Sequence, residues 1–165
     1  MTPVNETVQD FVSALIGDES SVLAGSHLYR AGLDYSEESL KFIDAYLGKL
    51  HLKQTGPKLF SKPVSEQKGF DLTVIRVGAY VGEVLRRASS KEYNWFSFKE
   101  WIQENPQHKQ LLGDAPTPST VFVLSGNGST LFPLAKVEKA ILNGPEDNVS
   151  AFVRVLKVSP QGSVE

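Results

Sequence analysis

Residues 72–87 read LTVIRVGAYVGEVLRR, with polar side chains at Thr73, Arg76, Tyr80, Glu83 and Arg87 spaced three and four apart. On a helix these positions form one narrow polar stripe along an otherwise apolar cylinder. The pattern predicts a buried helix from near Phe70 to about Ala88. A polar stripe inside a core must face a slit of solvent, pair internally or build a binding site, because burying Arg76 or Glu83 without partners is costly. Glu83 and Arg87, at i and i+4 with the acid first, are the expected ion pair. Gly78, Ala79 and Gly82 lie beside the stripe and predict a notch where another element approaches the helix backbone.

The flanking patterns predict further elements. Thr2 and Pro3 read as an N-cap and a first helical position, before an apolar face of Val4, Val8, Phe11, Val12, Leu15 and Ile16 that Gly17 ends. Residues 20–33 have no clear period and read as a connector. Ser36 caps a helix carrying Leu40, Ile43, Leu47 and Leu50, with Glu37 and Glu38 at its positive end. Residues 54–69, with Gly56, Pro57, Pro63 and several lysines, read as an exposed loop.

Beyond the stripe, residues 93–97 fit a strand, while Ser97 with Glu100 fits a capping box that would open a short helix turning Trp101 and Ile102 inward. Asn105 and Pro106 suggest a second short helix to Leu112, closed by Gly113. Residues 120–124 and 130–132, separated by SGNGS, predict a β-hairpin. Pro133 begins a helix with Leu134, Val137, Ala140 and Ile141 inward, and Gly144 ends it. Pro145, Glu146 and Asp147 then start another with Val149, Phe152, Val153 and Leu156 on one face. This order predicts an α+β fold. The expectation is a single domain over residues 1–158, with N-terminal helices, a central buried helix, a small antiparallel sheet with a hairpin and a C-terminal helix pair. Residues 159–165 are expected to be a frayed tail.

Composition narrows the function classes. The 165 residues, 41% hydrophobic, suffice for one core, and a net charge of -2 without a basic run argues against nucleic acid as a partner. Glu6, Asp10, Asp18 and Glu19 precede the first basic residue, Arg30, and read as a solvated face. The absence of cysteine removes disulfides, thiolate nucleophiles and thiolate zinc sites. No stretch approaches the ~18 apolar residues of a membrane span, and the start MTPVNETVQD lacks a secretory pattern. A cytoplasmic protein with no membrane partner is expected.

Candidate chemistry is sparse. His27, His51 and His108 fall in three separate segments, with no HxH or HExxH spacing. The SGNGS loop lacks a P-loop ending, and Asn127 with Gly128 favours a type I′ turn instead. Glu37 with Glu38 and Glu146 with Asp147 are explained by helix starts. No catalytic residue, metal ligand set or cofactor is assigned. The candidate binding residues are Arg76, Tyr80, Glu83, Arg87 and Trp95.

Three segments together, GAYVGEVLRR, NWFSF and LFPLAKVEKAILNGPEDNVSAF, resemble a bacterial family of small uncharacterised proteins. Its members share the order YxGEVxRR, Trp, PxxKVxK, NGPED. The similarity spans residues 33–156, with NGPED its most specific part and the acidic N-terminal helix outside it. The resemblance implies a bacterial, cytoplasmic α+β domain and brings no reaction with it. By analogy, small proteins of this kind sometimes accompany secreted toxins as immunity partners. NGPED itself reads as a sharp corner between two helices.

The reading favoured is a non-enzymatic bacterial binding protein acting through protein–protein interaction, with immunity as one version. Its surface is expected around the stripe and the aromatic residues Tyr93, Trp95 and Phe96. The alternative is a small enzyme or anionic-ligand binder, with the stripe in a cleft, Glu83 as acid or base and arginines holding the substrate. A third possibility is homodimerisation alone.

Overall fold

The computed structural model describes residues 1–57 and 62–157. Part of the expected exposed loop and the whole expected tail lie outside these residues. The elements are α1 (Asn5–Gly17), α2 (Leu40–Thr55), α3 (Phe70–Ala88), β1 (Asn94–Ser97), α4 (Phe98–Glu104), α5 (Lys109–Leu112), β2 (Phe122–Gly126), β3 (Ser129–Leu131), α6 (Pro133–Asn143) and α7 (Val149–Lys157). This is an α+β fold. Among the described residues no helix is long and apolar enough to cross a membrane.

The stripe helix is the centre of the molecule. Helix α3 is wrapped by α1, α6 and α7, and from Val77 to Leu85 every one of its residues is buried. The predicted notch exists: a Cβ on Gly78 would lie 2.6 Å from the Leu134 backbone, and one on Gly82 2.1 Å from the Trp95 ring. Two glycines one turn apart thus let α6 and β1 press on the α3 backbone.

The sheet is antiparallel in the order β1, β2, β3, with Trp95 opposite Leu124 and Leu124 opposite Leu131. Alternation sends Trp95, Leu124 and Leu131 to the main core. Phe96 and Val123 face the other way, where α4 covers them with Phe98, Trp101 and Ile102 in a smaller cluster. Both readings of residues 93–104 are realised: the strand runs to Ser97, whose hydroxyl then accepts from the Glu100 amide at 3.4 Å to open α4. The hairpin turn has positive φ at Asn127 (51°) and Gly128 (80°), as a type I′ turn requires.

Three local expectations are corrected. Thr2 and Pro3 do not start α1; the helix begins at Asn5, Thr2 donates its amide to Glu100 of α4, and Val4 meets the open edge of β1, where its amide donates to the Trp95 carbonyl at 2.8 Å. The Asn5 carboxamide accepts from the Trp95 amide at 2.8 Å. A strand edge has unpaired backbone groups that need partners, and this contact outcompetes the cap.

The second correction concerns residues 64–66 of the expected exposed loop, which form a 3₁₀ turn with Val64 buried. The third concerns NGPED. Residues Pro145–Asp147 form a 3₁₀ turn and α7 starts only at Val149. Its positive end is taken by Asp44 from α2, which accepts from the Val149 amide at 2.8 Å and from the Ser150 amide and hydroxyl. Asn148 adds a cap by accepting from the Ala151 amide at 2.8 Å. A carboxylate contributed from another helix could not be found by local reading.

Gly144, at φ 97°, does form the corner, and a Cβ there would meet His51 Nε2 at 2.8 Å. His51 is fixed because its Nδ1 hydrogen-bonds the Ile141 carbonyl at 2.8 Å. Gly144→Ala therefore combines a left-handed backbone with a ring clash and is expected to cost about 2 kcal/mol or more, read as a lower urea midpoint at unchanged slope.

Candidate functional site

Each member of the stripe has a definite place. Thr73, fully buried, donates to the Gly69 carbonyl at 2.9 Å and accepts from the Leu23 amide at 2.9 Å. Arg76 is half-buried and donates through Nη1 to the Ser21 carbonyl, while its Nε has no hydrogen-bond partner among the described residues.

Tyr80 is fully buried and sits in a chain of hydrogen bonds. Its hydroxyl accepts from the Tyr35 amide at 3.0 Å and lies 2.5 Å from Ser39 Oγ, which itself donates to the Ser36 carbonyl at 2.6 Å. Since the serine proton is committed to Ser36, the Tyr80 hydroxyl donates to Ser39. Burial pushes the Tyr80 phenol above its ordinary range, against the opposing effect of the Ser39 and Tyr35 contacts, so it stays a donor.

Glu83 is 3% exposed and corrects the expected i,i+4 pair. Its carboxylate is held not by Arg87 but by Arg86, whose Nη1 lies 3.3 Å from Oε1 and 3.0 Å from Oε2. The indole Nε1 of Trp95 donates to Oε2 at 2.9 Å. Arg86 also donates through Nε to the Tyr93 carbonyl at 2.9 Å. Positions i+3 and i+4 are both within reach on a helix, and the choice falls to the residue that can also grip Tyr93, just ahead of β1. The group is a clamp between α3 and the sheet, with the indole locked over the notch at Gly82.

Arg87 is the stripe's exposed end. Its guanidinium carbon sits 3.5 Å from the centroid of the Tyr35 ring. Tyr35 adopts φ 67°, uncommon for a bulky residue, and packs its ring against Tyr80 at 5.5 Å between centroids. Gln9 Nε2 donates to the Tyr35 hydroxyl at 2.8 Å. The stripe thus divides into an inner part that serves the fold and an outer part, Arg87 on Tyr35, at the surface.

Of the aromatic surface expected beside the stripe, Trp95 is fully buried and Tyr93 nearly so, and Phe96 is half-buried over the smaller cluster. The indole and phenol rings are core because the sheet is covered on both faces. Residues missed by sequence reasoning are Tyr35, Arg86, Gln9 and Asp44. Only Arg86 had a local signal, its i+3 spacing from Glu83.

The histidines stay apart in function: His51 props the NGPED corner, His108 stacks on Trp101 at 5.4 Å, and His27 closes a 3₁₀ turn. Among the described residues no group of three or more His, Asp or Glu side chains is arranged to hold a metal ion. A concavity of about 240 Å³ at the corner is lined by Asp44, Gly48, Ala140, Gly144 and Pro145, with no stripe residue in it. Another, between α6 and α7, is lined by Lys136, Ala151, Phe152 and Val155.

Asp147 of NGPED anchors the corner by accepting from Lys136 Nζ at 2.9 Å and Asn143 Nδ2 at 3.1 Å. Lys136, then Asn143, hold its carboxyl below the usual carboxylate range. A group whose folded pKa is depressed contributes stability above its unfolded pKa and loses it as pH falls through the folded value. Asp147→Asn is therefore expected to be less stable than the native chain at neutral pH, with the gap closing below about pH 4. Urea midpoints across that range measure it.

No protein-family model, curated protein or solved structure matches this chain. The fold and site define an α+β domain with an internally clamped central helix and an exposed arginine–tyrosine stack.

Proposed function

We propose that this chain is a non-enzymatic bacterial binding protein that acts by protein–protein contact in the cytoplasm. The observation that carries this reading is the fate of the stripe. Tyr80, Glu83 and Trp95 are buried in hydrogen bonds of the fold itself, and only Arg87, seated on Tyr35, is exposed. Arginine and tyrosine are the residue types that anchor protein interfaces, whereas a carboxylate sealed against Arg86 and an indole is not placed to exchange protons with a substrate. Immunity to a secreted toxin is one specific version, drawn by analogy with small bacterial proteins that accompany toxins.

Affinity capture of the tagged protein from native lysate is expected to recover a stoichiometric protein partner. Recovery of none under several salt and detergent conditions overturns the reading. For the immunity version, co-expression with the product of the neighbouring gene is expected to relieve that product's toxicity.

A further inference from the structure

We propose that Arg87, held flat on Tyr35, is the contact point for a carboxylate on an acidic segment of the partner protein, an inference that rests on the protein-binding reading above. A guanidinium carbon 3.5 Å from a ring centroid fixes the orientation of the group. Its nitrogens lie roughly 1.3 Å from that carbon, so one pointed straight at the ring would come to about 2 Å and a two-nitrogen fork to about 3 Å, both inside van der Waals contact. The guanidinium is therefore stacked parallel to the ring. Its N–H donors then point outward in that plane, past the ring edge.

Those donors are uncommitted. Among the described residues Arg87 makes no hydrogen bond and no ion pair, only the contact with Tyr35. The other arginines differ. Arg30 donates to the Ile16 carbonyl, Arg76 to the Ser21 carbonyl, and Arg86 to Glu83 and the Tyr93 carbonyl. Arg154 is exposed, with no aromatic ring beneath it among the described residues.

The seat is itself rigid. Tyr35 is held by Gln9 at its hydroxyl, by the Tyr80 hydroxyl at its amide and by the Tyr80 ring on its face, in a backbone conformation that costs energy to maintain. A side chain ordered in advance loses less freedom on binding, which is the condition for an interface anchor.

The chemistry of the site selects the ligand. A planar fork matches a planar carboxylate through two parallel hydrogen bonds. Arg87 also lies in the last turn of α3, where the helix end is partially negative. One cation beside a negative helix end suits a monoanion and disfavours a phosphate dianion. Protein carboxylates are the monoanions that a protein partner presents.

The test follows the Nε–Hε resonances of Arg87 and Arg154 in ¹⁵N-labelled protein. The probes are an acetylated peptide of alternating glycine and glutamate, its glutamine counterpart, and inorganic phosphate. The glutamate peptide is expected to shift Arg87 saturably and Arg154 only in proportion to ionic strength, while the glutamine peptide leaves both in place. Arg87→Lys, which keeps the charge without the fork, and Tyr35→Asn, which tolerates the left-handed backbone but removes the seat, should each weaken binding by about tenfold.

Equal responses of the two arginines, undiminished binding by Arg87→Lys, or a tighter response to phosphate overturns the proposal. Lysate capture separates it from the reading beneath it. If Arg87→Ala recovers the partner as well as the native chain does, the site is wrong and protein binding stands. If the native chain recovers none, both fall.

Discussion

Gly82→Ala is expected to lower stability by about 3 kcal/mol, far more than a single methyl group ordinarily costs on a helix. The added Cβ would lie 2.1 Å from Trp95 Cζ2, 2.4 Å from Cη2 and 3.2 Å from Pro133 Cγ. The indole has nowhere to retreat. Its Nε1 is bonded to Glu83, its backbone is bonded on both sides to Val4 and Asn5, and the ring is fully buried. For a chain of this size the melting temperature should fall by about 6–12 °C, and Gly82→Leu should be worse. Gly48→Ala supplies the contrast. That glycine is inside α2, where an added Cβ would meet no atom within 4 Å, so alanine should stabilise by about 0.5–1 kcal/mol through helix propensity. Equal melting temperatures for Gly82→Ala and the native protein would show that β1 does not press on the α3 backbone.

Glu83→Ala is expected to cost about 3–5 kcal/mol, because it strands a half-buried guanidinium and a buried indole N–H together. Arg86 retains some solvent at 26% side-chain exposure, which places the cost toward the lower end of that range. The double replacement Glu83→Leu with Arg86→Met removes both charges at similar volume and should recover the part of the loss that comes from the stranded guanidinium, while the buried indole N–H of Trp95 stays unpaired and keeps the rest. Urea unfolding followed by tryptophan fluorescence reports on both. If the double variant is as unstable as the sum of the two single changes, the carboxylate and guanidinium do not act as a pair.

The boundaries of α3 and α6 were legible because each carries a sustained apolar period, which for α3 runs from near Phe70 to about Ala88 and for α6 is closed by Gly144. The hairpin was legible from Asn127–Gly128, whose need for positive φ is local. Where reading failed, a distant group had supplied what a neighbour was expected to supply. Asp44 caps α7 across 105 residues, and Asn5 pairs with β1 instead of lying inside an earlier helix start.

The candidate site divides the same way. Periodicity marked Arg76, Tyr80, Glu83 and Arg87 as one face of a helix, and nothing in their spacing said which would be buried. Tyr35, which orders the exposed end, belongs to a segment without period and takes a backbone conformation that its residue type disfavours. No propensity predicts such a position.

By itself, the sequence determined that a mostly apolar helix with one polar stripe and a glycine notch lies at the centre of an α+β fold, because hydrophobic spacing, turn chemistry and helix stops act over a few residues. Only the tertiary structure decided that Glu83 takes Arg86 rather than Arg87, that Trp95 is a clamp rather than a contact surface, and that Arg87 comes to rest on Tyr35. Those outcomes depend on which side chains from distant segments lie within hydrogen-bonding distance of a buried charge, and burial makes an unpaired charge so costly that the partner within reach wins.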